Sequence, residues 1–236
     1  MTVAPPEHPA RDPITDEPPT VEAPTGFSLA ANFLPVAHLV LGTWIVLDAF
    51  DGLGARFGAA LAVVYLLPPL AVRVSFAFFG RPRGELRQTD AAYRVWWLSQ
   101  QWQMLFARLP ALEEALRLVP GLYAAWIALW GGRLSPRAFV APGVRILDRP
   151  LIEIEAGAVV GFAATLTGHA GVRAADGGWA VIVAAPRVEA DALVGAGCGL
   201  GPGAVLRRGA MLPAGRRLGP GAVWPRPGAT DAEDDA

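Results

Sequence analysis

The sequence predicts a mainly β chain: a parallel β-helix preceded by an α-helical, membrane-associated region. Three observations carry this reading. Large aliphatic residues recur every six positions, at Val188, Val194, Leu200, Leu206, Leu212 and Leu218, with Ile182 on the same register and an earlier run at Ile154, Val160, Leu166 and Val172. A small residue stands four places after most of them, at Ala158, Ala164, Ala170, Ala192, Cys198, Ala204, Ala210 and Ala222. Two apolar segments precede these repeats. Neither an α-helix nor a plain strand repeats every six residues. A β-helix does: each unit is one short strand and one corner, the aliphatic fills the interior, and the small residue fits where the wall turns. Gly161, Gly195, Gly201 and Gly219 directly follow an aliphatic and are expected to supply corner backbone. A unit buries its face only against its neighbours, so the array must stack.

In chain order, residues 1–26 hold Pro5, Pro6, Pro9, Pro13, Pro18, Pro19 and Pro24 without an apolar period. They predict a disordered tail, and lack the basic start and apolar core of a signal peptide. Residues 27–80 form two apolar segments of ~20 residues each, enough to cross a ~30 Å hydrocarbon layer. Pro35 and His38 interrupt the first; Pro68, Pro69 and Arg73 interrupt the second. A transmembrane hairpin, a re-entrant hairpin and a buried pair of core helices all fit. Arg81, Arg83, Arg87 and Arg94 follow the second segment, whereas the connection holds Asp48, Asp51 and Arg56. For a hairpin, the positive-inside tendency predicts that both of its ends, and the repeats that follow, lie on the cytoplasmic side of the inner membrane.

Residues 88–132 predict an amphipathic helical region. Thr89 or Asp90 caps a helix from about Ala91 to Arg108 that carries Trp96, Trp97 and Trp102. Pro110 punctuates it; Glu113 and Glu114 open the next helix, Pro120-Gly121 interrupts it, and Gly131-Gly132 ends the stretch after Trp130. The aromatics serve either as packing against the β-helix base or as a platform on the membrane surface. The repeats occupy 139–224, and 225–236 is a frayed acidic tail.

Hydrophobic residues make up 53% of the chain, charged residues 17%, and the net charge is −1. A nucleic-acid partner would want a basic surface, so that class is excluded. Cys198 is the only cysteine, which rules out an intrachain disulfide and a cysteine metal site; its interior position makes it a packing residue. No metal is expected.

The hexads, the segment Leu166-Thr167-Gly168-His169, an irregular insert over 171–187, and then Val194-Gly195-Ala196 and Leu200-Gly201-Pro202-Gly203 together resemble the hexapeptide-repeat acyltransferases. Within that superfamily they look most like the maltose and galactoside O-acetyltransferase branch. The resemblance implies a left-handed triangular β-helix with three units per coil, against the usual right-handed rule. It implies a homotrimer, since the site lies in a groove between subunits, and acetyl-CoA as donor. It makes His169, preceded by Thr167-Gly168, the general base for direct attack of a hydroxyl or amine on the thioester; otherwise His169 is a surface corner residue. It places the pantetheine arm along Gly195, Ala196, Gly209 and Ala210, where a fixed N–H can stabilise the oxyanion. The nucleotide phosphates would meet Arg207, Arg208, Arg216 and Arg217, which could equally form a solvated face. Arg216 takes a normally small interior position, so the helix is expected to end nearby.

Register arithmetic adds one residue. If the insert lengthens the Val172 unit, Leu166 stacks under Val188 and His169 lies beneath Asp191, which would orient the ring; a solvated corner carboxylate is the plainer reading. An excursion from a solenoid usually serves the binding face, so Arg173 and Trp179 are candidates for acceptor binding, with Trp179 as a loop anchor otherwise. Two features depart from the resembled pattern. Leu193 stands where an aromatic is common, and the membrane region replaces soluble N-terminal helices, so the acceptor is not carried over. The expectation is a membrane-anchored acyltransferase moving an acetyl or short acyl group to a sugar, glycolipid or other membrane-proximal acceptor. A γ-class carbonic anhydrase would need three imidazoles, and His8 and His38 lie outside the repeats. A non-catalytic scaffold and an acyl-CoA-binding module are the other readings.

Overall fold

The computed structural model describes residues 23–225; most of the Pro-rich tail and nearly all of the acidic tail lie outside that range. The chain opens with α1 (Gly26–Ala31), started by Thr25, whose hydroxyl accepts from the Ser28 N–H. α2 (Leu34–Leu47) continues it, and together Gly26–Leu47 is a 22-residue stretch long and apolar enough to cross a membrane. α3 (Leu53–Tyr65) and α4 (Leu67–Phe79) are bent by 41°. Pro68 and Pro69 cause the bend. They lack N–H donors, so they end one helix and are tolerated only in the first turn of the next. His38 is buried, with Nε2 2.8 Å from the Val63 carbonyl and its ring edge-on to Trp102, so a neighbouring helix satisfies it. Phe33, Leu53 and Phe78 are more than two-thirds exposed on the outside of these helices.

Strand β1 (Gly84–Leu86) leads to α5 (Ala91–Arg108), α6 (Pro110–Arg117) and α7 (Leu122–Trp130). Phe106, Trp126, Ile127 and Trp130 are buried, and their cluster runs without a break into the β-helix interior. Packing against the β-helix base is therefore the role of these aromatics.

The solenoid is a left-handed parallel β-helix of about five turns. One face stacks β2 (Arg133–Leu134), β5 (Glu153–Ile154), β10 (Arg187–Val188), β13 (Val205–Leu206) and β16 (Val223–Trp224). The second stacks β3 (Phe139–Val140), β6 (Val159–Val160), β11 (Leu193–Val194) and β14 (Met211–Leu212). The third stacks β4 (Arg145–Ile146), β7 (Thr165–Leu166), β12 (Gly199–Leu200) and β15 (Arg217–Leu218). The second residue of each strand points inward, and Val160, Leu166, Val188, Val194, Leu206 and Leu212 are fully buried.

Four sequence expectations need correction. The array starts at Leu134, one unit early, hidden by the eight-residue step from Ile146 to Ile154. Val172 and Ile182 are not in the coil: they belong to a hairpin, β8 (His169–Arg173) and β9 (Trp179–Val183), which β1 joins as an antiparallel third strand. The β-helix does not stop at Arg216, because that guanidinium turns onto the Trp224 ring, 4.3 Å away, and Trp224 closes the last coil. Crowding requires glycine at 161 and 195, where a Cβ on Gly195 would sit 2.6 Å from the Leu212 carbonyl oxygen, but not at Gly219, which faces open space; the left-handed backbone falls two residues after the glycine, as at Gly197 (φ 68°).

Candidate active site at one edge of the β-helix

The edge between the third and first faces is the irregular one. Two successive coils are interrupted there, first by residues 147–152 and then by the β8–β9 hairpin, while the later coils pass the same edge with plain turns. His169 opens the hairpin and Asp148 lies in the shorter insert one coil earlier. The fold brings them together: His169 Nδ1 is 2.8 Å from Asp148 Oδ2.

Asp148 is buried and surrounded by donors. Its Oδ2 accepts from the Gly168 N–H at 2.7 Å, with the Thr167 hydroxyl 3.2 Å away, and its Oδ1 accepts from Gln100 Nε2 at 2.5 Å. In each of these contacts the Asp148 carboxyl is the acceptor. It fixes the proton on Nδ1 of His169, leaving the Nε2 lone pair to act as a base. Nε2 has no hydrogen-bond partner among the described residues, and the side chain is 28% exposed. Trp96 packs against the ring with centroids 5.3 Å apart.

The helices hold this carboxylate in place. Gln100 is on α5, and one turn along, Gln103 Oε1 accepts from the Arg149 backbone N–H at 2.7 Å. The Arg149 side chain turns the other way, into a buried cluster where it donates to Glu113 Oε2, including Nε at 3.1 Å. Glu113 Oε1 accepts from Arg117 at 3.1 Å and from the Tyr123 hydroxyl. Burial, and then the Glu113 carboxylate, push the Tyr123 phenol far above its ordinary value. Opposite charges make the buried cluster tolerable, although Arg117 Nε and one terminal nitrogen of Arg149 are buried without a hydrogen-bond partner among the described residues.

Other expected residues lie elsewhere. Asp191 does not meet His169, because the hairpin leaves the coil entirely and Leu166 stacks under Leu200, not Val188. Asp191 instead occupies the corner beside Gly157 with φ 60° and faces Arg208 at 3.8 Å. Gly195 and Ala196 turn the corner between the second and third faces, whereas Gly209 and Ala210 turn the one between the first and second, so the four do not line one groove. The N–H groups of Gly195, Gly209 and Ala210 are used in stacking and turns, donating to Leu212, Ala190 and Arg207; among the four, only Ala196 N–H has no backbone acceptor among the described residues. Arg216 is occupied with Trp224. Arg217 pairs in register with Gly199, which pairs in turn with Thr165, and with Thr167 these residues line a groove of about 320 Å³ along the third face. Thr167, beside the His169–Asp148 pair, forms part of this groove's lining. Arg173 and Trp179 pair across the far end of the hairpin on the face that His169 shares, with Trp179 41% exposed. Among the described residues no group of three or more His, Cys, Asp or Glu side chains could hold a metal.

No family model matches the chain, and no curated protein does. Nine solved chains are similar in structure. One is serine acetyltransferase isoform 3 from Entamoeba histolytica, in complex with cysteine. It is 9% identical, covers 88% of this chain and 86% of its own, and has a TM-score of 0.22. A likeness at that level carries no argument about activity, so the reading below stands on the geometry of the chain.

Proposed function

We propose that the chain is a membrane-anchored, CoA-dependent acyltransferase. The supporting observation is the His169–Asp148 pair, built from two separate interruptions of the solenoid at one edge, with Thr167, which contacts the pair, lining the third-face groove. The acceptor hydroxyl or amine loses its proton to His169 Nε2 as it attacks the thioester carbonyl. Asp148 stabilises the imidazolium that forms. The C–S bond then breaks, and the imidazolium proton passes to the departing CoA sulfur. No covalent acyl-enzyme is needed. The groove between Thr167 and Arg217, floored by Gly197 and Gly199, is narrow and unhindered, which suits a pantetheine arm. Arg217 at its far end suits a phosphate. Acetyl is the donor group we favour, with assembly as a homotrimer at the cytoplasmic face of the membrane.

The test is CoA thiol release from acetyl-CoA in the presence of a membrane extract, for wild type and His169→Ala. Release that requires the extract and vanishes in the variant supports the transferase. Equal behaviour of both proteins turns the reading to a β-helix scaffold or an acyl-CoA-binding module.

A further inference from the structure

A second cavity shares the sheet face of His169. On β8, His169, Gly171 and Arg173 alternate to one side; their partners Val183, Val181 and Trp179 on β9, and Gly84 and Leu86 on β1, point the same way. A cleft of about 320 Å³ lies on that face, floored by Leu86, Gly171 and Val181 and walled by Tyr93, Trp97 and Trp179. This is the size of a small ligand pocket, for which ~300–1,000 Å³ is usual. Gly171 is two residues from His169, about 7 Å along the strand. No charged side chain lines the cleft. The rest of the lining is Pro24, Ser28 and Asn32, along α1 and at its two ends, with Gln88 and Ala180. That helix begins the 22-residue apolar stretch and exposes Phe27 and Leu29, with Phe33 exposed at the start of α2. Aromatic rings gathered where an apolar helix begins are the usual furniture of a membrane interface.

We infer that this cleft seats the apolar chain of an amphipathic membrane lipid, whose terminal hydroxyl or amine reaches His169 and is the acyl acceptor. The acceptor half of this inference rests on the transferase reading above; the lipid site does not. A lipid chain entering along α1 buries the aromatic walls and the apolar floor of Leu86, Gly171 and Val181 together. The chemistry is that of the proposed transfer: the lipid O–H proton goes to Nε2, the new ester C–O bond forms, and CoA leaves with that proton.

Gly171→Leu tests this. A side chain there enters the cleft, and the Cβ itself meets nothing nearer than the Trp179 ring at 3.9 Å. The full chain, in phosphatidylcholine nanodiscs, is photolabelled with a diazirine-bearing twelve-carbon alcohol and the sites are mapped by mass spectrometry. We expect label on peptides holding Tyr93, Trp97 and Trp179, reduced at least fivefold by Gly171→Leu and unchanged by His169→Ala. Label confined to α2–α4, or hairpin label unaffected by Gly171→Leu, overturns the lipid site. In parallel, dodecanol and ethanol are offered as acceptors with acetyl-CoA. Release at least tenfold faster with dodecanol, and lost in Gly171→Leu, supports the lipid as acceptor. Label in the cleft without release from either alcohol keeps the lipid site and overturns its acceptor role.

Discussion

Asp148→Asn removes the charge behind His169 while keeping the shape of the site. The new amide can keep its oxygen toward the Gly168 N–H and His169 Nδ1, and Gln100 can turn its own carbonyl to meet the new NH₂ group, so the ring stays oriented. What is lost is the attraction between the carboxylate and the imidazolium. Two unit charges ~4 Å apart at an effective dielectric of about 20 attract by about 4 kcal/mol. Half-developed charge in the transition state takes about half of that, so the loss spans about 2–4 kcal/mol. At about 1.4 kcal/mol per decade, acyl transfer should slow by about 30- to 1,000-fold. The assay is CoA release under single-turnover conditions with saturating acetyl-CoA and a membrane extract, with circular dichroism and thermal midpoints compared alongside. A variant that folds normally and transfers within threefold of wild type refutes the assignment of Asp148 as the group that positions and charges His169.

Three more outcomes follow from the packing. Gly195→Ala forces a Cβ to 2.6 Å from backbone atoms of the next coil, whereas Gly197→Ala meets only φ strain; the second should cost about 1–2 kcal/mol, the first clearly more, as read by denaturant unfolding of the two variants side by side. Arg149→Met leaves Glu113 short of a buried partner, which should cost about 3–5 kcal/mol and lower the thermal midpoint by roughly 10 °C in calorimetry; an unchanged midpoint would show the ion cluster to be dispensable. Asp176, at the hairpin turn, is held below the ordinary carboxylate range first by the hydrogen bond from Arg87 and then by the Gly178 N–H. Its folded-state pKa is depressed, so the clamp contributes fully above the ordinary carboxylate range and is lost as pH falls below that range through the depressed folded-state value; β8–β9 amide exchange, corrected for intrinsic rates, should rise on acidification and be pH-insensitive in Asp176→Asn.

The repeat was legible because three units make a coil, so every inward position recurs with the same chemistry. The same simplicity misled at Val172 and Ile182. A strand alternates every two residues, six is a multiple of two, and a hairpin strand can therefore fall into step with the hexads by accident. That error moved the stacking partner of Leu166 and with it the partner of His169. Asp148 was hidden for a related reason. It stands 21 residues before His169, and its place depends on the two extra residues between Ile146 and Ile154, a spacing that carries no chemical label. Gln100 had no signal at all, because its contact with Asp148 depends on how a helix lies across the first coils. His169 itself was found through the Thr-Gly-His run, and Trp179 and Arg173 through their excursion from the solenoid; how these residues meet was set by packing.

Asp148 and Arg149 are neighbours that face opposite ways, one toward the imidazole and one into the ion cluster of α6 and α7. A genetic screen would feel this. Lesions at Glu113, Gln103 or Tyr123, residues with no part in the chemistry, would tug on the same two-residue hinge and surface as loss of activity. Inactive alleles should therefore map in two sequence blocks, one in the helices and one around His169, and second-site suppressors should cross between them. Past Leu206, alleles other than those that unfold the chain should concentrate at Arg217, which lines the third-face groove.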